Sequence, residues 1–294
     1  MCPLFGYPPT LYPTTLALAL ALVDSAGSAD DVPGTTSILK AAATPKASGK
    51  PTYYIHISGT ASLTHESAEG QSRYGKVYDD WEGLGELLDL PKEALHRNVD
   101  ELVLNGSKGF EGVLRAAIVS PPAICGTGRG PVSQRGMMGP FVASSILKRG
   151  YGYLPKSTAQ WDFIHLHDLT ELNLLLVLAA AQEDGEGGKL TATWNQEGYY
   201  LVESERVKWA EYSQDMQQAA VQAGYVAEVP EGEMPVWDME KAMKEDGMMG
   251  AVLFMNSMGR AVRARKLLGW EPKAKSVKDD MAEIIAIEAK ALGK

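Results

Sequence analysis

The chain has 294 residues, of which 45% are hydrophobic and 22% are charged, and its formal net charge is −9. This composition is typical of a globular protein, and the acidic balance argues against a nucleic-acid surface or an anionic membrane as partner. Cys2 and Cys125 have neither the number nor the spacing of a disulfide framework or a zinc site. We therefore expect a reducing, cytoplasmic compartment and no metal.

Residues 1–15 are rich in proline and aromatic side chains and predict an irregular N-terminal segment. The alternating LALALALV run at 16–23 favours a buried strand, although its length also suits the apolar part of a signal sequence. No Lys or Arg precedes this run, which favours the strand. No apolar run is long enough to cross a bilayer.

A helix and a second strand are predicted next. Asp30 or Asp31 is placed to cap a helix that runs to about Ala43. The YYIHI run at 53–57 is aromatic and β-branched, and it predicts a strand that ends at Ser58. A strand, a helix and a strand in this order imply parallel strands joined by a right-handed crossover.

The same alternation continues towards the middle of the chain. Pro91 is placed to open a helix whose apolar face leaves His96 and Arg97 off it. Residues 116–119 are apolar and partly β-branched, so they predict a short buried strand.

Two more helices are predicted after that strand. One spans residues 138–148 and ends at Gly150. Residues 163–166 form a short extended segment, after which Asp168 begins a helix with Glu171 as its capping-box partner. That helix is apolar nearly all round, so we expect it to be buried on the sheet.

The last third is predicted to be mostly helical. Residues 190–194 form one further strand, and Asn256 or Ser257 caps a basic helix. Ser276 caps a final amphipathic helix.

These elements predict an α/β fold, a Rossmann-like parallel sheet with helices on both faces and a mostly helical C-terminal region. The parallel strands are expected near 16–23, 53–58, 115–119 and 189–194. The predicted organisation is an irregular segment at 1–15, a partial Rossmann-like domain at 16–194 and a helical region at 195–294.

The loop after the strand at 116–119 is the first candidate for a functional region. Pro121 and Pro122 end the strand, and Gly126, Gly128 and Gly130 allow the backbone to approach another group closely. Ligands of open α/β sheets bind beyond the carboxyl ends of the strands. The alternative is an ordinary glycine-rich loop.

Four motifs in a fixed order carry a resemblance: a strand ending in SGT at 55–60, PPAICG at 121–126, FIHLHDL at 163–169 and LLGWEP at 267–272. Together they resemble the extended, epimerase-like short-chain dehydrogenase/reductases. More narrowly, the chain is similar to fungal NAD(P)-binding proteins of epimerase- or dehydratase-like type. The resemblance implies NAD or NADP as cofactor, residues 16–194 as a partial NAD(P)-binding domain and 195–294 as the substrate side.

The resemblance also implies roles for individual residues. Ser58 is the hydroxyl that ends a strand and hydrogen-bonds the substrate, with a simple turn residue as the alternative. The residues that cover the nicotinamide are Pro121, Pro122, Ala123 and Ile124. Arg97 supplies positive charge near the nicotinamide ribose, or is an ordinary solvated helix arginine. Cys125 stands where the family usually has tyrosine and is expected to line the site.

Two motifs of the family are missing from their usual places. One is the Gly-x-x-Gly-x-x-Gly turn between the first strand and the first helix, which binds the cofactor diphosphate; the GTGRG loop at 126–130 has another spacing and follows a later strand. We expect a first half-sheet to be missing, through truncation or degeneration. The other is the Tyr-x-x-x-Lys pair, in which lysine lowers the tyrosine pKa. Tyr74 and Tyr78, which are predicted to lie in a loop, are candidates to replace the tyrosine of this pair as the acid.

Two pairs of residues are weaker candidates. His165 and His167 alternate on an extended segment and are expected to face opposite sides, which argues against a metal pair. Arg260 and Arg263 are three residues apart on a predicted helix and suit a phosphate or carboxylate clamp, with a solvated helix face as the commoner explanation.

Two functions follow from these observations. The first is an NAD(P)-binding, epimerase- or dehydratase-like oxidoreductase that acts on a small molecule. The second is a truncated or degenerate Rossmann-like binding protein without activity or cofactor affinity, which the two missing motifs favour.

Overall fold

A computed structural model of the chain describes residues 21–25, 27–65, 76–131, 134–183, 190–230 and 233–294. The segment predicted at 1–15 and most of the strand predicted at 16–23 lie outside the described residues. The described part of that strand begins at Ala21.

The described strands are numbered in chain order: β1 (Ala21–Asp24), β2 (Thr52–Ile57), β3 (Tyr78–Asp79), β4 (Leu114–Ser120), β5 (Ala123–Cys125), β6 (Leu154–Pro155), β7 (Gln160–His165), β8 (Tyr199–Leu201), β9 (Glu205–Lys208), β10 (Val236–Trp237) and β11 (Gly259–Arg260). The helices are α1 (Val32–Ala42), α2 (Leu84–Leu88), α3 (Arg97–Gly106), α4 (Met138–Arg149), α5 (Leu166–Glu183), α6 (Trp209–Gln222), α7 (Met239–Val252), α8 (Arg263–Leu268) and α9 (Val277–Ala291). Within α7 the helical backbone is interrupted at Gly247.

The main sheet is parallel, with the strand order β1-β2-β4-β8. β2 is its central strand, and Tyr54 lies between Leu22 and Ala116 in the register. Both faces of β2 and β4 are buried, which is why their sequences are apolar almost without interruption. The predicted fold class, a Rossmann-like parallel sheet with helices on both faces, is therefore confirmed.

Each face of the main sheet has its own apolar core. One face packs Leu39 of α1 and Val103 of α3 against Tyr54. The other packs Leu172 of α5 and Ala264 of α8 against Ile55. The loops at the carboxyl ends of the strands form the candidate site.

A second, smaller sheet has the order β5-β7-β9, with β9 antiparallel to β7. It is covered by α4, α6 and α9, whose side chains form a core around Phe163, Trp209 and Ile285. The pairs β6–β10 and β3–β11 are short and parallel. Ser276 caps α9 with a reciprocal capping box to Asp279, as predicted for Ser276.

The strand predicted at 190–194 is wrong. Residues 190–194 have no strand pairing, and the fourth strand of the main sheet is β8, which the aromatic run at 199–201 forms. Tyr199 and Tyr200 are fully buried on opposite faces of the sheet, whereas Leu190 and Trp194 are only partly buried. Burial on both faces, rather than alternation, decides which segment joins the sheet.

Three predicted helix starts are also wrong. The helix predicted from Pro91 begins at Arg97. Asp168 does not cap α5: the helix begins at Leu166, and the Asp168 carboxylate accepts hydrogen bonds from the backbone of Lys273 and Ala274.

The basic helix begins at Arg263, without a side-chain cap from Asn256 or Ser257. Asn256 instead accepts a hydrogen bond from the backbone of Gln160. Along α5, Leu174 and Leu178 are exposed, so this helix is not buried all round. No described helix is long and apolar enough to span a membrane.

Candidate functional site

The site lies where the loops after β1, β2 and β4 meet. Ser58 N donates to Val119 O at 2.8 Å, and Thr60 N donates to Pro121 O at 2.9 Å. From the other side, the Ser28 hydroxyl donates to Ile57 O at 2.5 Å. These hydrogen bonds hold the three loops together at the carboxyl edge of the sheet.

His96 lies over this junction. A Cβ placed on Gly59 would come within 3.3 Å of His96 Nε2, so the imidazole edge rests against the Gly59 backbone. His96 Nδ1 is 2.9 Å from Asp30 Oδ1. When Nδ1–H donates to this carboxylate, the neutral ring keeps a free lone pair on Nε2, which is the arrangement of an oriented general base.

The backbone of His96 is unusual. Its φ is 64°, a left-handed conformation that non-glycine residues seldom adopt. This conformation turns the chain immediately before α3. The hydrogen bond to Asp30 holds the imidazole ring in place. A left-handed residue at the edge of a loop cluster points to a functional constraint.

Ser58, the residue before Gly59, is buried, and its hydroxyl has no hydrogen-bond partner at bonding distance among the described residues. The hydroxyl does lie near enough to the Asp100 carboxyl to lower its pKa. Burial outweighs this effect and raises the pKa of Asp100 above its ordinary value. A buried hydroxyl without a partner is available to a substrate oxygen.

Arg97, the other predicted catalytic residue, is buried. Its guanidinium donates to Leu88 O of α2 at 2.6 Å and lies 3.4 Å from Glu101. It is therefore not a solvated helix arginine. Its role near a nicotinamide ribose stays a prediction.

The segment predicted to cover the nicotinamide joins the two sheets. Pro121 and Pro122 are buried at the end of β4, and Pro121 O anchors Thr60. Ala123 and Ile124 belong to β5, where they pair with Phe163 and Ile164. The segment thus lies beside Ser58, and its cofactor role stays a prediction.

Cys125 and the glycine loop lie beyond this segment. Burial raises the pKa of the Cys125 thiol to about 12, so it is not an activated nucleophile. Gly126 has a φ of 89°, and a Cβ there would collide with the His165 ring. A small pocket beside them is lined by Cys125, Gly126, Arg135, Ile284 and others from β5, α4 and α9.

The predicted placement of Tyr78 is wrong. Tyr78 is not in a loop: it is buried in β3, which pairs with β11, and it packs against His65. Tyr74 lies outside the described residues.

His165 and His167 do not face opposite sides, because their rings are 4.7 Å apart and His165 Nδ1 accepts from His167 N. Arg260 and Arg263 do not form an anion clamp. Arg260 is exposed in β11, whereas the buried Arg263 donates to Thr193 Oγ1 at 2.8 Å.

Solved structures of other proteins have the same fold as this chain. A UDP-glucose 4-epimerase from Thermotoga maritima, solved with UDP-glucose, has a TM-score of 0.59 at 14% identity and matches 96% of this chain and 82% of its own. A dTDP-glucose 4,6-dehydratase from Streptomyces venezuelae, with NAD and TYD bound, has a TM-score of 0.59 at 14% identity over 96% of this chain and 78% of its own. This chain shares their fold.

The resemblance to extended epimerase- and dehydratase-type enzymes is thus confirmed at the level of structure. Among curated proteins, an "Oxidase ucsJ" from Acremonium sp is 25% identical over 248 residues, which are 82% of this chain and 70% of that protein. No protein-family model matches the chain.

The residues at this edge of the sheet suit one end of a dinucleotide but not its diphosphate. Ser58, His96 and the segment from Pro121 to Ile124 offer polar and apolar groups where a nicotinamide would approach the strand ends. The diphosphate needs a glycine turn that leads from a strand into a helix N-terminus. The Gly-x-x-Gly-x-x-Gly pattern occurs once in the 294 residues, at 106–112, and there it leads from the end of α3 towards β4. The residues present therefore suit the nicotinamide end of a dinucleotide and not its diphosphate.

Sequence reasoning missed His96 and Asp30 as site residues. The periodicity puts His96 off an apolar helix face, and it makes Asp30 a candidate helix cap. One signal was available: His96 and Asp100 have the four-residue spacing of the family's missing Tyr-x-x-x-Lys pair. The contact of His96 with Asp30, 66 positions earlier, depends on the crossover from β1 to β2.

Proposed function

We propose that this protein is an NAD(P)-dependent oxidoreductase of the epimerase or dehydratase type that acts on a small molecule. One observation carries the proposal: at the carboxyl edge of the parallel sheet, the ring of His96, oriented by Asp30, rests against Gly59, and the residue before Gly59 is Ser58, whose buried hydroxyl has no hydrogen-bond partner among the described residues. Two groups that handle protons therefore converge where this fold places its reaction.

His96 is the proposed general base. Its Nε2 takes a proton from a substrate hydroxyl or an acidic C–H group, and the Asp30 carboxylate stabilises the imidazolium that results. His96 replaces the family's tyrosine as the proposed proton-accepting group, and the Asp30 carboxylate takes the orienting place of the lysine.

Ser58 is the proposed hydrogen-bond donor to the reacting oxygen. Its hydroxyl is buried, so a donated hydrogen bond is stronger there than in water. When bound, NAD or NADP would accept a hydride from the substrate or return one to it.

A second function is supported by the two missing motifs. A Rossmann-like module without a diphosphate-binding turn and without Tyr-x-x-x-Lys fits a binding protein that catalyses nothing. This candidate predicts that the His96–Asp30 pair serves stability alone.

The test is an activity screen of the purified chain with an excess of NAD or NADP and a panel of sugar nucleotides that includes UDP-glucose and dTDP-glucose. Nicotinamide absorbance and product chromatography are the readouts. We expect His96→Ala to reduce turnover about 10²–10⁴-fold and Ser58→Ala about 10²–10³-fold. Folding should change by no more than about 1 kcal/mol in Ser58→Ala.

Arg260→Ala is the matched control, because Arg260 is exposed in β11 and away from these contacts. Full turnover in Ser58→Ala, with a lower melting temperature, would show that Ser58 is only a turn residue. Equal turnover in wild type and His96→Ala would favour the binding module.

The free, buried Cys125 agrees with the proposed cytoplasmic location.

A further inference from the structure

A buried polar cluster lies below Ser58, on the face of the main sheet that α1 and α3 cover. The cluster is centred on His56 of β2. Its other members are Asp24 of β1, Tyr54 of β2, Asp100 of α3 and Tyr199 of β8. Tyr54, His56, Asp100 and Tyr199 are fully buried. Five titratable groups in an apolar core cost free energy, so their presence calls for an explanation.

The contacts of the cluster form a line. The Tyr54 hydroxyl donates to Asp24 Oδ2 at 3.0 Å and lies 3.2 Å from His56 Nδ1. On the far side of the ring, His56 Nε2 is 3.9 Å from Asp100 Oδ1. Tyr199 donates to the other oxygen of Asp100 at 3.1 Å and so holds the carboxyl in place.

Three polar atoms along this line have no hydrogen-bond partner among the described residues: His56 Nε2, Asp100 Oδ1 and Ser58 Oγ. The first two face each other, and the third lies beside Asp100. Catalytic hydrogen bonds are often long before substrate binds, so a separation of 3.9 Å is one that a small rotation closes.

The line of contacts runs from the candidate site at one end to a partly exposed side chain at the other. Ser58 belongs to the candidate site, whereas the Asp24 side chain is 15% exposed at the end of the edge strand β1. Burial raises the pKa of Asp100, which favours a proton on its carboxyl next to the Ser58 hydroxyl.

We propose that the buried polar cluster is a proton relay that connects Ser58 with solvent at Asp24. The relay rests on the proposed function and supplies its second proton-handling group. Ser58 Oγ–H gives its proton to the reacting oxygen, and the Asp100 carboxyl replaces it. For this direction of transfer Asp24 holds a proton taken from water, and the Tyr54 O–H points to His56 Nδ1 instead of to Asp24. His56 Nε2–H protonates Asp100, Tyr54 protonates His56 Nδ1, and Asp24 restores the Tyr54 proton.

One O–H bond forms on the substrate, one O–H bond of water breaks at the solvent end, and no electrons leave the line. The same path operates in reverse when the reacting oxygen loses its proton. His96 remains the base on the other side of the site, so the reaction has an acid and a base in different surroundings.

Tyr54→Phe cuts the line between His56 and Asp24, and Tyr200→Phe is its matched control. Both changes remove one buried hydroxyl that donates a hydrogen bond, but Tyr200 lies on the other face of the sheet and donates to Thr193 O. We expect turnover in Tyr54→Phe to fall about 10²-fold with unchanged KM and an altered solvent isotope effect. The solvent isotope effect of Tyr200→Phe should equal that of wild type.

A readout that needs no substrate separates this proposal from the proposed function. We expect the imidazole nitrogen resonances of His56 in NMR spectra to shift in Tyr54→Phe and in Asp100→Asn, and to stay unchanged in Arg260→Ala. Wild-type His56 resonances in both relay variants would overturn the relay, even in an inactive protein. Full turnover in Tyr54→Phe would also overturn it.

If Tyr54→Phe does not fold, Asp24→Asn tests the same line from its partly exposed end. This change removes the last carboxylate without emptying the core. The expected result is again a loss of turnover with unchanged KM, and an unchanged solvent isotope effect would contradict the relay. A wild-type protein without activity, in which His56 still responds to Asp100→Asn, would overturn the proposed function alone.

Discussion

At the scale of one residue, the backbone conformation of His96 lowers the stability of the fold. A left-handed backbone costs a non-glycine residue about 1–2 kcal/mol, whereas glycine adopts it freely. The His96–Asp30 pair involves a carboxylate that is 72% exposed, so it offsets little of this cost. The conformation is therefore better explained by the position that it gives the ring over Gly59 than by stability.

His96→Gly should consequently remove activity without destabilising the fold. We expect an unchanged or higher free energy of unfolding, by up to about 1 kcal/mol, because relief of the backbone outweighs the added freedom of the unfolded chain. Chemical denaturation is the measurement. Asn195→Gly is the control, since Asn195 is also left-handed but its side chain accepts from Ala116 N at 2.8 Å.

Both changes relieve a left-handed backbone, but only Asn195→Gly leaves the Ala116 N–H without its partner, so the control should be less stable than His96→Gly by about 1–2 kcal/mol. Equal losses of stability in the two variants would contradict the view that His96 is held there for function.

Asp80 gives the stability of the fold a dependence on pH. Its carboxylate accepts from the backbone N–H groups of Leu201, Val262 and Arg263, but burial dominates and raises its pKa from 3.8 to about 6. A raised carboxyl pKa means that the folded state binds the proton more tightly than the unfolded state. Stability from this group is therefore present at low pH and decreases as the pH rises from about 4 to about 6.

The measurement compares the free energy of unfolding of wild type and Asp80→Asn across this range. The difference between the two should fall by about 3 kcal/mol as the pH rises, because asparagine does not titrate. A difference that stays constant from pH 4 to pH 7 would show that the Asp80 pKa is unperturbed.

At the scale of the element, strands buried on both faces were the most predictable part of the fold. β2 and β4 lie within two residues of their predicted bounds, because apolar and β-branched runs are long enough there to be recognised. β8 has only three residues, and its neighbour at 190–194 has an equally suitable composition. Only the position of that segment against β4 distinguishes the two.

Helix starts were less predictable, since a capping residue and a residue that binds a distant backbone look the same in sequence. Asp168 is the clearest example. It was expected to pair with Glu171 in a capping box, but its carboxylate joins α5 to the backbone before α9. A contact between residues 105 positions apart has no local signal.

This difference predicts unequal effects of two substitutions. Asp168→Ala should cost about 2 kcal/mol, because it leaves the backbone N–H groups of Lys273 and Ala274 without their acceptor. Glu171→Ala, at an exposed position on the same helix, should change stability by less than about 0.5 kcal/mol. A capping box would instead make both changes cost about 1 kcal/mol each, and thermal denaturation distinguishes the two patterns.

At the scale of the whole molecule, the site was predicted in outline and missed in its chemistry. Ser58 and the two prolines follow from the ends of β2 and β4, which any parallel sheet places at one edge. His96, Asp30, His56 and Asp100 depend on how α1 and α3 pack on that edge. Their roles follow only from contacts between elements that are far apart in sequence.

The missing diphosphate-binding turn predicts weak binding of NAD(H) and NADP(H) to this chain. In a dinucleotide site, the diphosphate rests on backbone N–H groups at a helix N-terminus, and a glycine turn allows that approach. The nicotinamide end alone, with Ser58, His96 and Pro121 beside it, would offer only one face of contact. The net charge of −9 adds long-range repulsion against a dinucleotide that carries negative charge.

Calorimetric titration of the purified chain with each dinucleotide is the measurement, and affinity weaker than about 10⁻⁴ M is the expected result. Raised salt should strengthen the weak binding slightly, because it screens that repulsion. Micromolar affinity would overturn the prediction. It would also mean that the diphosphate is held by backbone other than a glycine turn between the first strand and helix, and His96→Gly would then show whether the loop before α3 takes part.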